Sequence, residues 1–277
     1  MQTPSSALSS SHHHVSRGLV WLGRAGLAAR GIVYLTVGGL TAMAGLGMGR
    51  GKVTDQKEAL STLGNAQYGN LVLWVVAIGL ASYVLWRFGQ ALFARGDDYE
   101  GAKGWLKRAI ALVSGLAYAS LSITAFTQAL GGGSGGGGGS SQKQGAAWLL
   151  SQPFGQTLVA VVGAIIACAA IAQFTRAITA SFSKHLRGGE LTHDQARWAR
   201  RAGRAGFAAR GVAFSLIAWF FMQAAWQHDA TEAGGLDAAL KALASQPSGS
   251  TLLAIVGAGL ALFGAYSLVE ARYRDIR

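Results

Sequence analysis

The sequence predicts an all-α membrane protein of six transmembrane helices, arranged as three parallel two-helix repeats with pseudo-threefold symmetry. Three observations predict it: six long runs without charge, an uneven distribution of Lys and Arg between the connections, and an internal repeat. Only 13% of the residues are charged and 51% are apolar, whereas soluble domains carry about 25% charged residues. The mean hydropathy of +0.32 also fits a chain largely surrounded by lipid.

The uncharged runs are long enough to cross a bilayer. A helix rises about 1.5 Å per residue and the hydrocarbon core is about 30 Å thick, so a span needs about 20 residues. No Asp, Glu, Lys or Arg stands at the middle of a predicted span, which disfavours ion-coupled transport. The predicted spans cover residues 28–48, 69–90, 109–130, 155–178, 207–227 and 249–270.

The distribution of Lys and Arg predicts the orientation of the spans. Nineteen of the 24 Lys and Arg residues lie in the N-terminal segment, the second and fourth connections and the C-terminal tail. Short connections rich in Lys and Arg stay in the cytoplasm, so we expect both termini and the loops 94–108 and 179–204 there. Because the charges lie between apolar runs, the net charge of +12 does not indicate nucleic-acid binding.

The internal repeat is clearest between the first and last parts of the chain. The segment from Arg24 to Gly31 recurs 180 residues later, from Arg204 to Gly211, with one substitution in eight. The second half of each unit repeats as a short Leu-rich segment, a Gly and a long apolar run. These Leu-rich segments are amphipathic, and we expect them to lie on the outer membrane surface.

The middle copy is weaker. Trp105 to Arg108 matches the segment 84 residues earlier, and Tyr118 then matches Tyr34. Ser114 stands where the other copies have arginine. The predicted organisation is a disordered tail at 1–16 and repeats at 17–95, 101–180 and 194–277, with a Gly-rich outer linker at 131–141.

Small residues recur at helical spacing in several spans. Lipid gives helices no hydrophobic reason to associate, so close approach of their backbones must supply the attraction. These faces therefore predict helix packing, although a pore lining is the alternative interpretation. The glycines concerned are Gly31, Gly38 and Gly45 in the first span, Gly163 in the fourth, and Gly257 and Gly264 in the sixth.

Four repeated arginines are the candidate binding residues: Arg24, Arg30, Arg204 and Arg210. Arg30 and Arg210 lie where their spans enter the bilayer, so we expect both guanidinium groups at the inner interface. A cation near a helix N-terminus opposes the helix dipole, so helix stability does not explain them. Topology anchoring, binding of anionic phospholipid headgroups and a substrate gate remain open.

The repeated Ala-Arg-Gly motif, the Ala-Leu-x-x-Leu lead into the second span and the segment from Tyr83 to Arg87 resemble the DUF1206 family. The resemblance covers about residues 17 to 275, and the last copy has Val269-Glu270 where the first has Trp86-Arg87. The family consists of bacterial membrane proteins with three tandem two-helix repeats. The resemblance implies a multi-pass protein of the bacterial cytoplasmic membrane and brings no established activity.

The sequence contains no enzyme motif, and we expect no catalytic residue, metal site or cofactor. Cys168 is the only cysteine, and the glycines at 131–139 lack the Lys-Ser/Thr ending of a phosphate loop. We therefore expect a non-enzymatic membrane component that binds lipid or a partner membrane protein. A channel or small-molecule permease is the alternative.

Cysteine labelling tests the predicted orientation. Because Cys168 is the only cysteine, Cys168→Ala gives a background for single additions. With Ser140→Cys, a membrane-impermeant maleimide should label intact cells. With Ser183→Cys, labelling should require opened membranes, and the reverse pattern would show the opposite orientation.

Overall fold

The computed structural model describes residues 17–48, 53, 56–93, 101–132, 138–181 and 192–273. This part of the chain contains nine α-helices and a 3-10 turn at Ala230–Glu232. The helices are α1 (Arg17–Gly45), α2 (Gln56–Gly64), α3 (Gly69–Phe93), α4 (Gly101–Ala129), α5 (Gly138–Leu150), α6 (Gly155–Thr179), α7 (His193–Gln227), α8 (Leu236–Ala244) and α9 (Gly249–Tyr273).

Six of these helices are long and apolar enough to cross a membrane, so the predicted six-helix, three-repeat fold is confirmed. The helices α3, α6 and α9 begin at the predicted residues. In contrast, α7 begins at His193, well before the predicted start at 207, because its charged first turns are also helical. Thr192 starts it with a capping box, in which its hydroxyl accepts from the backbone N–H of Gln195.

A tight turn precedes the second long helix of each repeat and fixes its first residue. The helices α3, α6 and α9 all start with glycine and all have 25 residues. A Cβ at Gly69 or Gly249 would overlap the backbone carbonyl of the short helix that precedes it. The three repeats can therefore be compared residue by residue from these glycines.

The six long helices form a ring in which neighbours run antiparallel. Each first helix of a repeat packs along the second helix of another repeat, giving the pairs α1 with α9, α4 with α3, and α7 with α6. The pairs α1 with α3 and α7 with α9 join these, so the three repeats run parallel to one another. The exception is the pair α4 and α6, which make few contacts, so the ring is loosest between these two helices.

Glycine allows the closest of these contacts, between α1 and α9. Gly31 lies against Gly264, Gly38 against Gly257 and Ala261, and Gly45 against α9 near its start. A Cβ on any of the three α1 glycines would overlap atoms of α9. Gly163 lies in a different contact, against Met222 of α7.

The short helices cover the ends of the long ones. Their apolar faces are buried against the bundle, through Ala59 and Leu60 in α2 and through Leu236, Ala239 and Leu240 in α8. The helix α5 begins at Gly138, so the Gly-rich segment 131–141 is not a linker throughout: its last residues already form helix.

The outer surface of the bundle is apolar, as lipid contact requires. Large side chains such as Leu71, Val75 and Ile171 are more than half exposed on the long helices. Exposed tryptophans lie near opposite helix ends, with Trp105 at the start of α4 and Trp226 at the end of α7. Tryptophans are typical of the two membrane–water interfaces.

The α1–α9 contact can be tested with two adjacent glycines. Gly38→Leu should lower the thermal stability of the purified protein in detergent, because the side chain would overlap the α9 backbone. Overpacking typically costs about 1–3 kcal/mol. Gly39→Leu is the matched control, since a Cβ there meets nothing within 4 Å. Equal melting temperatures for the two variants would contradict this packing.

Candidate functional site

A buried ion pair between Arg30 and Glu270 lies inside the bundle. The Arg30 Nη2 atom is 2.9 Å from Glu270 Oε2 and also donates to Ser267 Oγ at 3.2 Å. Its Nη1 atom donates to Tyr83 Oη at 3.2 Å. Only 7% of Arg30 is exposed. Its hydrogen bonds connect α1 to α3 and α9, so this arginine is enclosed by helices.

Arg210, the repeat equivalent of Arg30, has a different environment. It is 8% exposed, and its guanidinium carbon lies 4.3 Å from the ring centroid of Phe263, 4.9 Å from that of Phe214 and 5.1 Å from that of Tyr34. Cation–π attraction stabilises this arrangement. Among the described residues, no acidic side chain pairs with Arg210, and its Nε atom has no hydrogen-bond partner.

The repeat explains this difference between the two arginines. Counted from Gly155 and Gly249, the position of Glu270 in α9 is occupied by Arg176 in α6. The helix that faces Arg210 thus carries a cation where the helix that faces Arg30 carries a carboxylate.

The same comparison corrects one match made from sequence. Glu270 corresponds to Gln90 of α3, three residues beyond the proposed match with Arg87. Arg87 itself corresponds to Ser267.

At the third equivalent position, the arginine comes from the opposite helix. Ser114 of α4 replaces the repeated arginine, and α4 packs on α3, which carries Arg87. The Arg87 Nε atom donates to Tyr83 Oη at 3.0 Å, and its Nη1 atom donates to Gln90 Oε1 at 3.2 Å. A guanidinium group therefore lies near this position in all three cases, but next to the middle repeat it belongs to Arg87 of the first repeat.

These three guanidinium groups form one cluster, which we call the arginine cluster (Arg30, Arg87 and Arg210). Tyr83 Oη accepts hydrogen bonds from both Arg30 and Arg87. The ring of Phe263 contacts both Arg30, at 5.0 Å, and Arg210. Glu270 is the acidic side chain that the described residues place against the cluster, so the cluster carries excess positive charge.

A cavity of about 250 Å³ adjoins the arginine cluster and lies between α4 and α6. Its walls are mainly apolar. Arg87 and Arg210 lie on its surface, whereas Arg30 and Glu270 do not. The apolar walls consist of Ile110, Val113, Ala117 and Leu121 of α4, Val162, Ile165, Ile166 and Ala169 of α6, and Phe214, Ile217 and Phe221 of α7.

Small side chains in the middle repeat leave this space open. Ser114 occupies the place of an arginine, and Ala169 occupies the place of Phe263 in α9 and of Tyr83 in α3. Along α4 the cavity runs from Ile110 to Leu121, about 17 Å at 1.5 Å per residue. At its far end it reaches Gln56 and Lys57 of α2 and Gln142 of α5.

Three residues that line the cavity each have a buried polar atom that lacks a hydrogen-bond partner among the described residues. The atoms are Arg210 Nε, Tyr118 Oη and Gln142 Oε1. Tyr118 is 8% exposed, and its ring packs 4.7 Å from that of Tyr83. Buried polar atoms are normally paired with protein or water, so these three residues have unused hydrogen-bonding capacity next to the cavity.

The remaining predicted binding residues lie elsewhere. Arg204 is exposed, and its Nε atom donates to the Ala177 carbonyl near the end of α6 at 2.9 Å. The helix dipole stabilises a cation at that end. Arg24 is half-buried and does not line the cavity. The tail at 1–16, with His12 to His14, lies outside the described residues.

Sequence reasoning missed the roles of four residues at this site: Arg87, Ser114, Tyr118 and Glu270. Signals existed for three of them. The 84-residue offset indicates Ser114 and Tyr118, and counting from the glycines that begin α6 and α9 shows that Glu270 occupies the position of Arg176. What no pattern showed is that α4 and α6 separate to form a cavity.

The fold and this site define a class: a multi-pass membrane protein of three parallel two-helix repeats around a cationic centre. The chain belongs to the family described as Domain of Unknown Function (DUF1206), which matches residues 25–94, 109–180 and 205–274. It is 34% identical over 258 residues to the Bacillus subtilis (strain 168) uncharacterized protein YxxB, covering 92% of this chain and 90% of that protein. No solved structure matches the chain.

The ion pair predicts a characteristic pattern of stabilities. Glu270→Gln leaves the Arg30 charge buried without its counter-ion, and removal of one partner of a buried pair typically costs about 3–5 kcal/mol. The double variant Arg30→Met with Glu270→Met should cost less than Glu270→Gln alone, because no isolated charge remains. Thermal unfolding in detergent measures both. A double variant that is less stable than Glu270→Gln alone would contradict the energetic coupling of the two residues.

Proposed function

We propose that this protein is a non-enzymatic membrane component that binds an anionic lipid, with the lipid headgroup at Arg210 and Arg87 and an acyl chain between α4 and α6. One observation carries this proposal. The apolar cavity between the two loosely packed helices borders on two guanidinium groups that the described residues leave without an acidic partner.

The walls of the cavity favour an amphiphile over a small water-soluble anion. Between Ile110 and Leu121 of α4, and along the facing part of α6, the lining is mostly aliphatic. An acyl chain matches such a surface, whereas a small water-soluble anion would find few polar partners along most of its length. Because α4 and α6 barely touch within the span, a chain in the gap is continuous with the surrounding lipid tails.

The burial of Arg210 argues against a role as a simple topology anchor. An anchoring arginine extends to the interface and keeps its charge in water, whereas Arg210 is enclosed by three aromatic rings. Burying an uncompensated charge is costly. A phosphate group in the cavity would supply the missing counter-charge, and Arg binds phosphate through two parallel N–H donors.

The charge asymmetry of the connections supports an orientation for this site. We place the protein in the bacterial cytoplasmic membrane with both termini in the cytoplasm, because most Lys and Arg residues lie on that side. The arginine cluster lies toward the end of the bundle where α1, α4 and α7 begin. The headgroup would then come from the cytoplasmic leaflet. The exposed surface of the bundle leaves room for a partner membrane protein.

A permease for amphiphilic anions is the second candidate. The observation in its favour is that the same cavity continues from Arg87 to the polar side chains of Gln56 and Gln142 at the opposite helix ends. Uptake of a labelled lipid analogue across the bilayer of proteoliposomes distinguishes passage from static binding.

Native mass spectrometry of the detergent-solubilised protein tests lipid binding. The wild-type protein should retain a co-purifying anionic phospholipid, and Arg210→Gln should lower its occupancy at least about tenfold, because a hydrogen bond to a charged group contributes about 1.5–3 kcal/mol. Arg201→Gln is the control, since this exposed arginine of α7 does not line the cavity. Equal lipid retention by all three proteins would contradict the proposal.

A further inference from the structure

We infer that the headgroup bound at this site is a phosphomonoester dianion, as in a phosphatidic acid, in preference to the phosphodiester monoanion of most anionic phospholipids. This inference rests on the proposed function and deepens it. It follows from the number of charges on the cavity wall and from the directions from which the donors converge.

The cavity wall near the arginine cluster presents two positive charges. Arg87 makes its hydrogen bonds with two neutral acceptors, Tyr83 Oη and Gln90 Oε1. Arg210 is surrounded by aromatic rings. The third arginine of the cluster, Arg30, is already neutralised by Glu270 and does not line the cavity.

Charge balance in an apolar surrounding therefore favours a dianion. A phosphodiester carries one negative charge and would leave one guanidinium group uncompensated. The second pKa of a phosphomonoester is about 6, so at pH 7 it carries a charge of about −1.5 to −2. It is the phosphate form that matches both arginines.

The donors also approach from all three repeats. Arg87 belongs to the first, Tyr118 and Ser114 to the middle one and Arg210 to the last, and all four line one cavity. Tyr118 lines the cavity, and its Oη is buried without a partner in the described part of the chain, so we assign its O–H to a ligand oxygen. A phosphomonoester has three equivalent terminal oxygens, which suit donors that converge from three sides, whereas a diester has only two.

Two lipids with identical acyl chains test this inference. Dioleoyl phosphatidic acid carries a phosphomonoester, and dioleoyl phosphatidylglycerol carries a phosphodiester. Each is titrated into the delipidated full-length protein in detergent at pH 7.5, and occupancy is read by native mass spectrometry. The proteins are the wild type, Arg87→Gln, Arg210→Gln and Arg87→Lys, and the melting temperature of each shows that it is folded.

The wild type should prefer phosphatidic acid by about tenfold or more, since one additional charge-assisted contact is worth at least that much. Arg87→Gln and Arg210→Gln each leave one cation and should reduce the preference to near unity. Arg87→Lys keeps the charge and should keep most of the preference. If a glutamine variant does not fold, the lysine variant and the wild-type ratio still decide the matter.

Equal binding of the two lipids to the wild type would overturn the phosphomonoester inference but leave lipid binding intact, whereas binding of neither lipid would overturn both. A preference that survives Arg87→Gln and Arg210→Gln would also overturn the inference. Inorganic phosphate at millimolar concentration is the competitor that separates the sources. If inorganic phosphate displaces phosphatidic acid, the bound group need not come from a lipid and the inference is overturned. If phosphate does not displace phosphatidic acid, the lipid is supported as the source of the phosphate group.

Discussion

The balance of guanidinium charge inside an apolar bundle is the constraint on which this structure depends. Arg30 satisfies it through Glu270, Ser267 and Tyr83, and these bonds connect both spans of the first repeat to the last one. Arg210 lies among aromatic rings and has no acidic partner within the described residues, because α6 has Arg176 where α9 has Glu270. Of the two repeated arginines, Arg30 is therefore neutralised, whereas Arg210 has no acidic partner among the described residues.

The three repeats have the same helix arrangement, but the candidate site occurs at one place among them. Equal helix lengths and glycine starts give each repeat the same frame. Within that frame, the middle repeat has Ser114 and Ala169 where the others have large side chains. These two substitutions leave space between α4 and α6, so the loss of symmetry at one interface creates the cavity. The other two interfaces stay closed and support it.

The tightly packed interface of α1 with α9 and the loosely packed interface of α4 with α6 thus lie on opposite sides of the ring. Along α1 and α9, glycines bring two backbones together over most of the span, and Arg30 adds a buried ion pair to the same interface. In lipid the hydrophobic effect gives helices no reason to associate, so close packing of this kind must supply the attraction between them. The interface between α4 and α6 lacks such closely packed glycines, so the proposed lipid would enter it without separating packed backbones.

The sequence by itself determined the six long apolar helices, the repeat and the starts of α3, α6 and α9, because uncharged length and glycine position are local properties. It also identified Arg30 and Arg210, and it placed Gly38 and Gly257 on packing faces. Only the tertiary structure distinguished the two arginines, since the partner of each depends on which helix of another repeat faces it. Arg87 joined the site for the same reason: its neighbour Ser114 is 27 positions away in sequence, on a helix of a different repeat. Charge pairing and cavity volume are set by contacts between distant segments, which no pattern along one chain contains.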